Sequence, residues 1–184
     1  APIAQLQKRC GIALTGMIRR IGNHAMLHPA QQVAAPGAAA TRCIETLIVK
    51  CISATRTLLI GHGYRTNQAG IDQIRALLAP HGVDVHSFDL PHYEGPAAVL
   101  HLMSVLSPIA HDLAVVYEPL APVRLLQFLE SRGIRWIPVS EREMLTQGAN
   151  ILTIRPNVVV LAAGNPEVEG ALREAGVEVH VFNG

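Results

Sequence analysis

Three stretches of this chain repeat one order of apolar and polar positions: a helically spaced segment, a glycine, then an alternating run. They are LLAPHGVDVHSF around Gly82, FLESRGIRWIPV around Gly133 and ALREAGVEVHVF around Gly176. Glycine closes a helix in the left-handed conformation, and alternating Val, Ile and Trp after it suit a strand. The helix starts are equally legible. Asn67 is placed to cap the first, Pro122 stands where the second begins, and Asn165-Pro166 reads as a cap followed by a first-turn proline. In the first helix Ile71, Ile74, Leu77 and Leu78 fall on one face. Apolar runs predict strands at 57–61, 99–106, 113–117, 149–154 and Val158–Ala162. Each repeat thus reads strand, strand, helix, strand, within roughly fifty residues. The fold class is α/β, built of ββαβ units that must pack on one another to bury their apolar faces.

Composition adds a boundary. Of 184 residues nearly half are apolar and few are aromatic, so the core is aliphatic. No apolar run approaches the ~20 residues a membrane helix needs, and a net charge of +1 singles out no partner. The average hides an asymmetry. Before Thr57 lie seven Lys and Arg residues against the single acid Glu45, and after it eight arginines and thirteen acids. Cys10, Cys43 and Cys51, and both lysines, fall in the first part. An odd, scattered set of cysteines argues for a reducing, cytoplasmic setting rather than a disulfide framework. Residues 1–56 are accordingly expected to be an unrelated basic extension, appended or mistranslated, with helical signal around Gln5 to Ile21, a linker from Pro29 to Ala40 and a strand from Cys43 to Ile52. A targeting peptide and a nucleic-acid-binding arm are weaker readings, because amphipathicity is low and basic residues are neither clustered nor interleaved with aromatics. Residues 57–184 form the functional domain.

Two elements carry candidate chemistry. Gly61-His62-Gly63-Tyr64-Arg65-Thr66-Asn67 is a tight turn from a strand into a helix. Backbone N–H groups there favour an anion, and a neighbouring arginine can clamp a carboxylate with two parallel hydrogen bonds. The second is Leu100-His101-Leu102-Met103-Ser104. A lone histidine is more often structural than catalytic. His24 and His28 share a helical spacing but have no third ligand nearby, so no metal is expected.

Together, IGHGYRTNQAG, VLHLMS some thirty-five residues later, QGANILTI and GNPEVEGALREAGVEVHVF resemble the guanidine-modifying (pentein) superfamily of arginine deiminases, dimethylarginine dimethylaminohydrolases and amidinotransferases. The resemblance covers nearly all of 57–184. It implies a partial α/β propeller of ββαβ modules, incomplete at both ends, and no cofactor. It also implies a cysteine thiolate that attacks the guanidinium carbon of a small arginine-like amino acid, with a histidine moving protons. By this resemblance His101 is the catalytic histidine, Arg65 binds the substrate's α-carboxylate, and Asn150 holds a turn. Three departures accompany the matches. No cysteine follows Cys51, the family's acidic motifs are missing from 1–56, and Met103 stands where arginine deiminases carry Asp. The expectation is a truncated, inactive relative of a guanidino hydrolase or transferase. Two other classes stay open. One is a non-catalytic interaction or homo-oligomerisation module, suggested by the strand edges a half-propeller exposes. The other is a nucleotide-binding module using Gly61, Gly63 and Asp89, which lacks the third glycine of the dinucleotide fingerprint.

Overall fold

Gly82, Gly133 and Gly176 have φ of 65°, 65° and 81°, the left-handed region where a Cβ is costly. After each of them the next residue's N–H turns back onto the helix just ended: Val83 to Leu78 O (3.4 Å), Ile134 to Leu129 O (2.9 Å) and Val177 to Leu172 O (3.0 Å). This closure aims each following segment back along its helix and into a strand. In the computed structural model, which describes residues 47–48, 57–98 and 100–183, three mixed sheets result.

The first sheet holds β1 (Leu47–Ile48), β2 (Thr57–His62) and β3 (Asp84–Asp89), with helix α1 (Gln68–Leu78) between the last two. The second holds β4 (Leu106–Pro108), β5 (Leu113–Val116) and β6 (Arg135–Pro138), with α2 (Val123–Ser131) between β5 and β6. The third holds β7 (Leu152–Arg155), β8 (Val158–Ala162) and β9 (Glu178–Phe182), with α4 (Pro166–Glu174) before β9 and a short helix α3 (Glu141–Leu145) before β7. In each sheet the first pair is antiparallel and the second parallel. A parallel pair needs a crossover, and the helix supplies it.

Packing links the sheets in series. Leu58, Ile60 and Val85 point to α1, where Ile71 and Ile74 meet them. Leu59 and Phe88 face the other way and pack with Leu106, Ala114, Val116 and the α2 residues Leu125 and Leu129. Leu113 and Val115, on the opposite face of β5, pack with Val159, Leu161 and the α4 residues Val168 and Leu172. Every strand face that is buried on both sides reads as a continuous aliphatic run for that reason.

Four sequence expectations change. Residues 99–106 are not one strand: His101 is extended, Leu102–Ser104 form a 3₁₀ turn, and β4 begins only at Leu106. The run is apolar because Leu102, Val105 and Leu106 are all buried by that turn. The predicted strand at 149–154 starts at Leu152, because Ala149 O and Ile151 N are taken by the Ser107 hydroxyl at 2.7 and 3.0 Å. Leu77 leaves the buried face of α1 and is 57% exposed; six residues after Ile71, at about 100° per residue, it has rotated away from the sheet.

Asn165 does not cap α4 with its side chain. Its amide donates to Thr146 O and Ala162 O (3.0 and 2.9 Å), and its carbonyl accepts the Thr146 hydroxyl at 2.7 Å. Glu143 of α3 satisfies the helix start instead, accepting from Glu167 N and Val168 N at 2.7 and 2.9 Å. Of the expected extension 1–56, all but Leu47–Ile48 lies outside the described residues, including its helical and linker segments, all three cysteines, and His24 and His28. Leu47–Ile48, within the expected strand 43–52, pairs antiparallel with β2.

Candidate functional site

The turn bearing Arg65 is fixed from both ends. Gly63 and Thr66 exchange backbone hydrogen bonds (3.1 and 3.4 Å) immediately after β2, and the Asn67 side-chain Oδ1 accepts from Gly70 N at 2.9 Å to start α1. Arg65 is therefore held between a strand end and a helix N-terminus. Gly61 has no room for a side chain, since a Cβ there would stand 2.8 Å from Leu90 Cδ1 and 3.1 Å from Leu102 Cβ.

The segment after β3 straps the turn from outside. Leu90 N donates to His62 O at 2.8 Å, His62 Nδ1 lies 2.6 Å from Asp89 Oδ1, and the Tyr64 hydroxyl lies 2.5 Å from His92 Nδ1. The Tyr64 and His92 rings meet edge to face at 5.8 Å. Asp89, the acid of the dinucleotide reading, is thus engaged by His62.

His101 arrives from the second unit. Extended backbone (φ −109°, ψ 156°) carries it into the 3₁₀ turn, and Ser104 N closes on His101 O at 3.0 Å. The next residue, Leu102, is buried in the core shared by the first two sheets and anchors the histidine from behind.

Arg65 and His101 line one small cleft, together with Gly61, Gly63, Leu90 and Leu102. Its volume is about 10 Å³, on the scale of a single water. The cleft joins a forked cation, a titratable ring and apolar walls, which suits a carboxylate beside a site of proton transfer. In this form it does not enclose an amino acid. Asn150 behaves as a turn residue: its N–H closes on Gln147 O at 2.9 Å and its side chain is exposed. Among the described residues no His, Cys, Asp and Glu side chains gather in a group able to hold a metal ion, and no helix is long and apolar enough to cross a membrane.

Sequence reading missed Glu143, which is fully buried and joins α3 to α4. Ser140-x-x-Glu143 is a capping-box spacing, and Ser140 Oγ does accept from Glu143 N at 3.4 Å. The signal was there to find, although the glutamate caps the next helix rather than its own.

Over 122 residues the chain is 29% identical to N(G),N(G)-dimethylarginine dimethylaminohydrolase of Streptomyces coelicolor, a match covering 66% of this chain and 41% of that protein. In sequence and in fold the chain is similar to enzymes of the guanidine-modifying superfamily. Its fold matches dimethylarginine dimethylaminohydrolase from Pseudomonas aeruginosa, solved as a Cys-to-Ser mutant with citrulline, at a TM-score of 0.57 and 23% identity, covering 70% of this chain and 45% of that one. It also matches an amidinotransferase of the saxitoxin pathway from Microseira wollei, at a TM-score of 0.58 and 18% identity over 71% of this chain and 39% of that one. No family model matches the sequence. The chain spans less than half the length of these superfamily relatives.

Proposed function

We propose that this chain carries the carboxylate-binding and proton-transfer part of a guanidino-group hydrolase or amidinotransferase acting on arginine or a methylated arginine. The observation that carries this reading is the convergence of Arg65 and His101 on one cleft. They come from separate units, and by the resemblance each matches a residue of a superfamily motif. In this reading the three sheets are successive modules of an α/β propeller, and the functional unit begins near Thr57, with the preceding segment adding an edge strand. Arg65 holds the substrate α-carboxylate through its two-pronged guanidinium. His101 gives a proton to the departing amine after a thiolate has attacked the guanidinium carbon, and takes one from the water or amine that releases the intermediate. The thiolate must be a cysteine, and none follows Cys51. In this reading residues 57–184, which hold no cysteine, do not by themselves turn over guanidino substrates. The partner is a small molecule, with no role for nucleic acid or membrane, and the odd set of three cysteines favours the cytoplasm.

The energetics set the expected affinity. One charge-assisted contact contributes about 1.5–3 kcal/mol, whereas even a millimolar Kd needs about 4 kcal/mol. Titration with citrulline, followed by NMR, should shift the Arg65 and His101 side-chain signals only at millimolar concentrations and above. Arg65→Ala should remove the shifts while leaving the fold intact. Arginine, dimethylarginine and agmatine should give no product above a blank. Micromolar binding insensitive to Arg65→Ala, or citrulline production abolished by His101→Ala, would overturn this reading.

A further inference from the structure

The three sheets can be aligned through their parallel pairs, which open at Thr57 with Asp84, Leu113 with Arg135, and Val158 with Glu178. In that alignment Leu59, Val115 and Val160 are equivalent, each on the strand face turned away from its own helix. Leu59 and Val115 are buried because the next unit covers them. In the third sheet the same face carries Leu152, paired beside Val160, and Phe182, paired beside Ala162. They are 59% and 49% exposed.

The alignment also equates Asp84-Val85-His86-Ser87-Phe88 with Glu178-Val179-His180-Val181-Phe182. In the first sheet His86 is held by Asp84 at 2.7 Å, and His86 and Phe88 form a platform for Phe128 of α2, with ring centroids 4.7 and 5.8 Å away. Arg132, after the same helix, reaches Asp84 at 3.8 Å. In the third sheet His180 is held by Glu178 at 2.9 Å in the same manner. The platform is built but carries no α2-like helix among the described residues. The counterpart of Phe128 on α1 is Leu77, because both stand at the same distance before the closing glycines Gly82 and Gly133. Leu77 is the exposed apolar residue of that helix, and His81 stands where Arg132 does.

We propose that the open face of the third sheet docks α1 of a second copy of this chain, with Leu77 seated on His180 and Phe182 as Phe128 is seated on His86 and Phe88. The contact continues the two internal interfaces in kind, and Glu178, paired with Arg155 at 3.4 Å, stands where Asp84 meets Arg132. Such an interface is head to tail, so each copy retains one donor and one acceptor face, and association closes a ring or extends a chain.

Light scattering coupled to gel filtration of the full chain should give a mass above the 19.8 kDa of one copy that rises with concentration. Leu77→Asp and Phe182→Asp should each return it to a single copy. Both side chains are about half exposed, so a circular-dichroism melt should show each variant folded. An equimolar mixture of the two variants pairs one intact donor with one intact acceptor, and should restore a dimer that neither forms alone. A wild-type chain monomeric up to hundreds of micromolar overturns the proposal. So does loss of association by Phe182→Asp but not Leu77→Asp, since that marks tail-to-tail pairing. Leu152→Asp, on the same face, should act as Phe182→Asp does; retained association in it would also count against the interface.

Discussion

The cleft at Arg65 and the joint at Glu143 are both polar sites where separate elements meet, yet they are built in opposite ways. At the joint, the Glu143 carboxylate is fully buried and takes two backbone N–H groups of α4, while Asn165 and Thr146 satisfy each other and nearby carbonyls. Every buried acceptor there has a donor, as a low-dielectric site demands. At the cleft, Arg65 and His101 stay half-buried on glycine-rich backbone, and the supporting pairs His62–Asp89 and Tyr64–His92 lie on the exposed rim. The joint closes on itself, whereas the cleft stays open to solvent beside its half-buried Arg65 and His101.

That contrast breaks most directly at Glu143. Glu143→Ala strands two buried helix-start donors and should cost about 3–5 kcal/mol, seen as a lower urea midpoint. Glu143→Gln, which keeps one acceptor oxygen, should cost less. Neither should move the Arg65 and His101 resonances, and a shift there equal to that at α4 would show the two regions to be one. Gly61→Ala probes the cleft in the same currency. Its methyl meets Leu90, the movable end of a side chain, and Leu102 Cβ, which is anchored, so about 1–3 kcal/mol of overpacking is expected, together with displaced Arg65 signals.

The smallest effect is expected at Tyr117, between the regions. Burial, then the Glu141 carboxylate and the Tyr93 phenol, raise its pKa above the ordinary 10.0. The folded state therefore keeps the proton longer than the unfolded chain. Stability should be full below pH about 10 and fall as pH rises above it. Tyr117→Phe should flatten that decline, and an unchanged alkaline limb would assign it to other groups.

Much of this arrangement was legible from the chain. The closing glycines, Asn67 as a cap and Pro122 at a helix start all rest on local chemistry: a backbone angle, a side-chain acceptor, a fixed φ. What sequence missed is long-range. Asn165 looks like a cap, and only the approach of α3 hands that duty to Glu143. Leu102 and Val105 look like strand because burial by a turn leaves the same apolar run as burial by a pleat. Leu77 looks like core because helical periodicity cannot say how wide the contact is.

The hydroxyl of Ser107 gives to Ala149 O and takes from Ile151 N, across forty-odd residues of chain and from the second sheet into the approach to the third. It serves as one more backbone rung made from a side chain, a clasp where no strand pairs. Thermal fraying that begins at the far edge of the third sheet must therefore stop there or carry the second sheet with it. The two sheets should thus melt together, and a protease that cuts between them should gain little until both have opened.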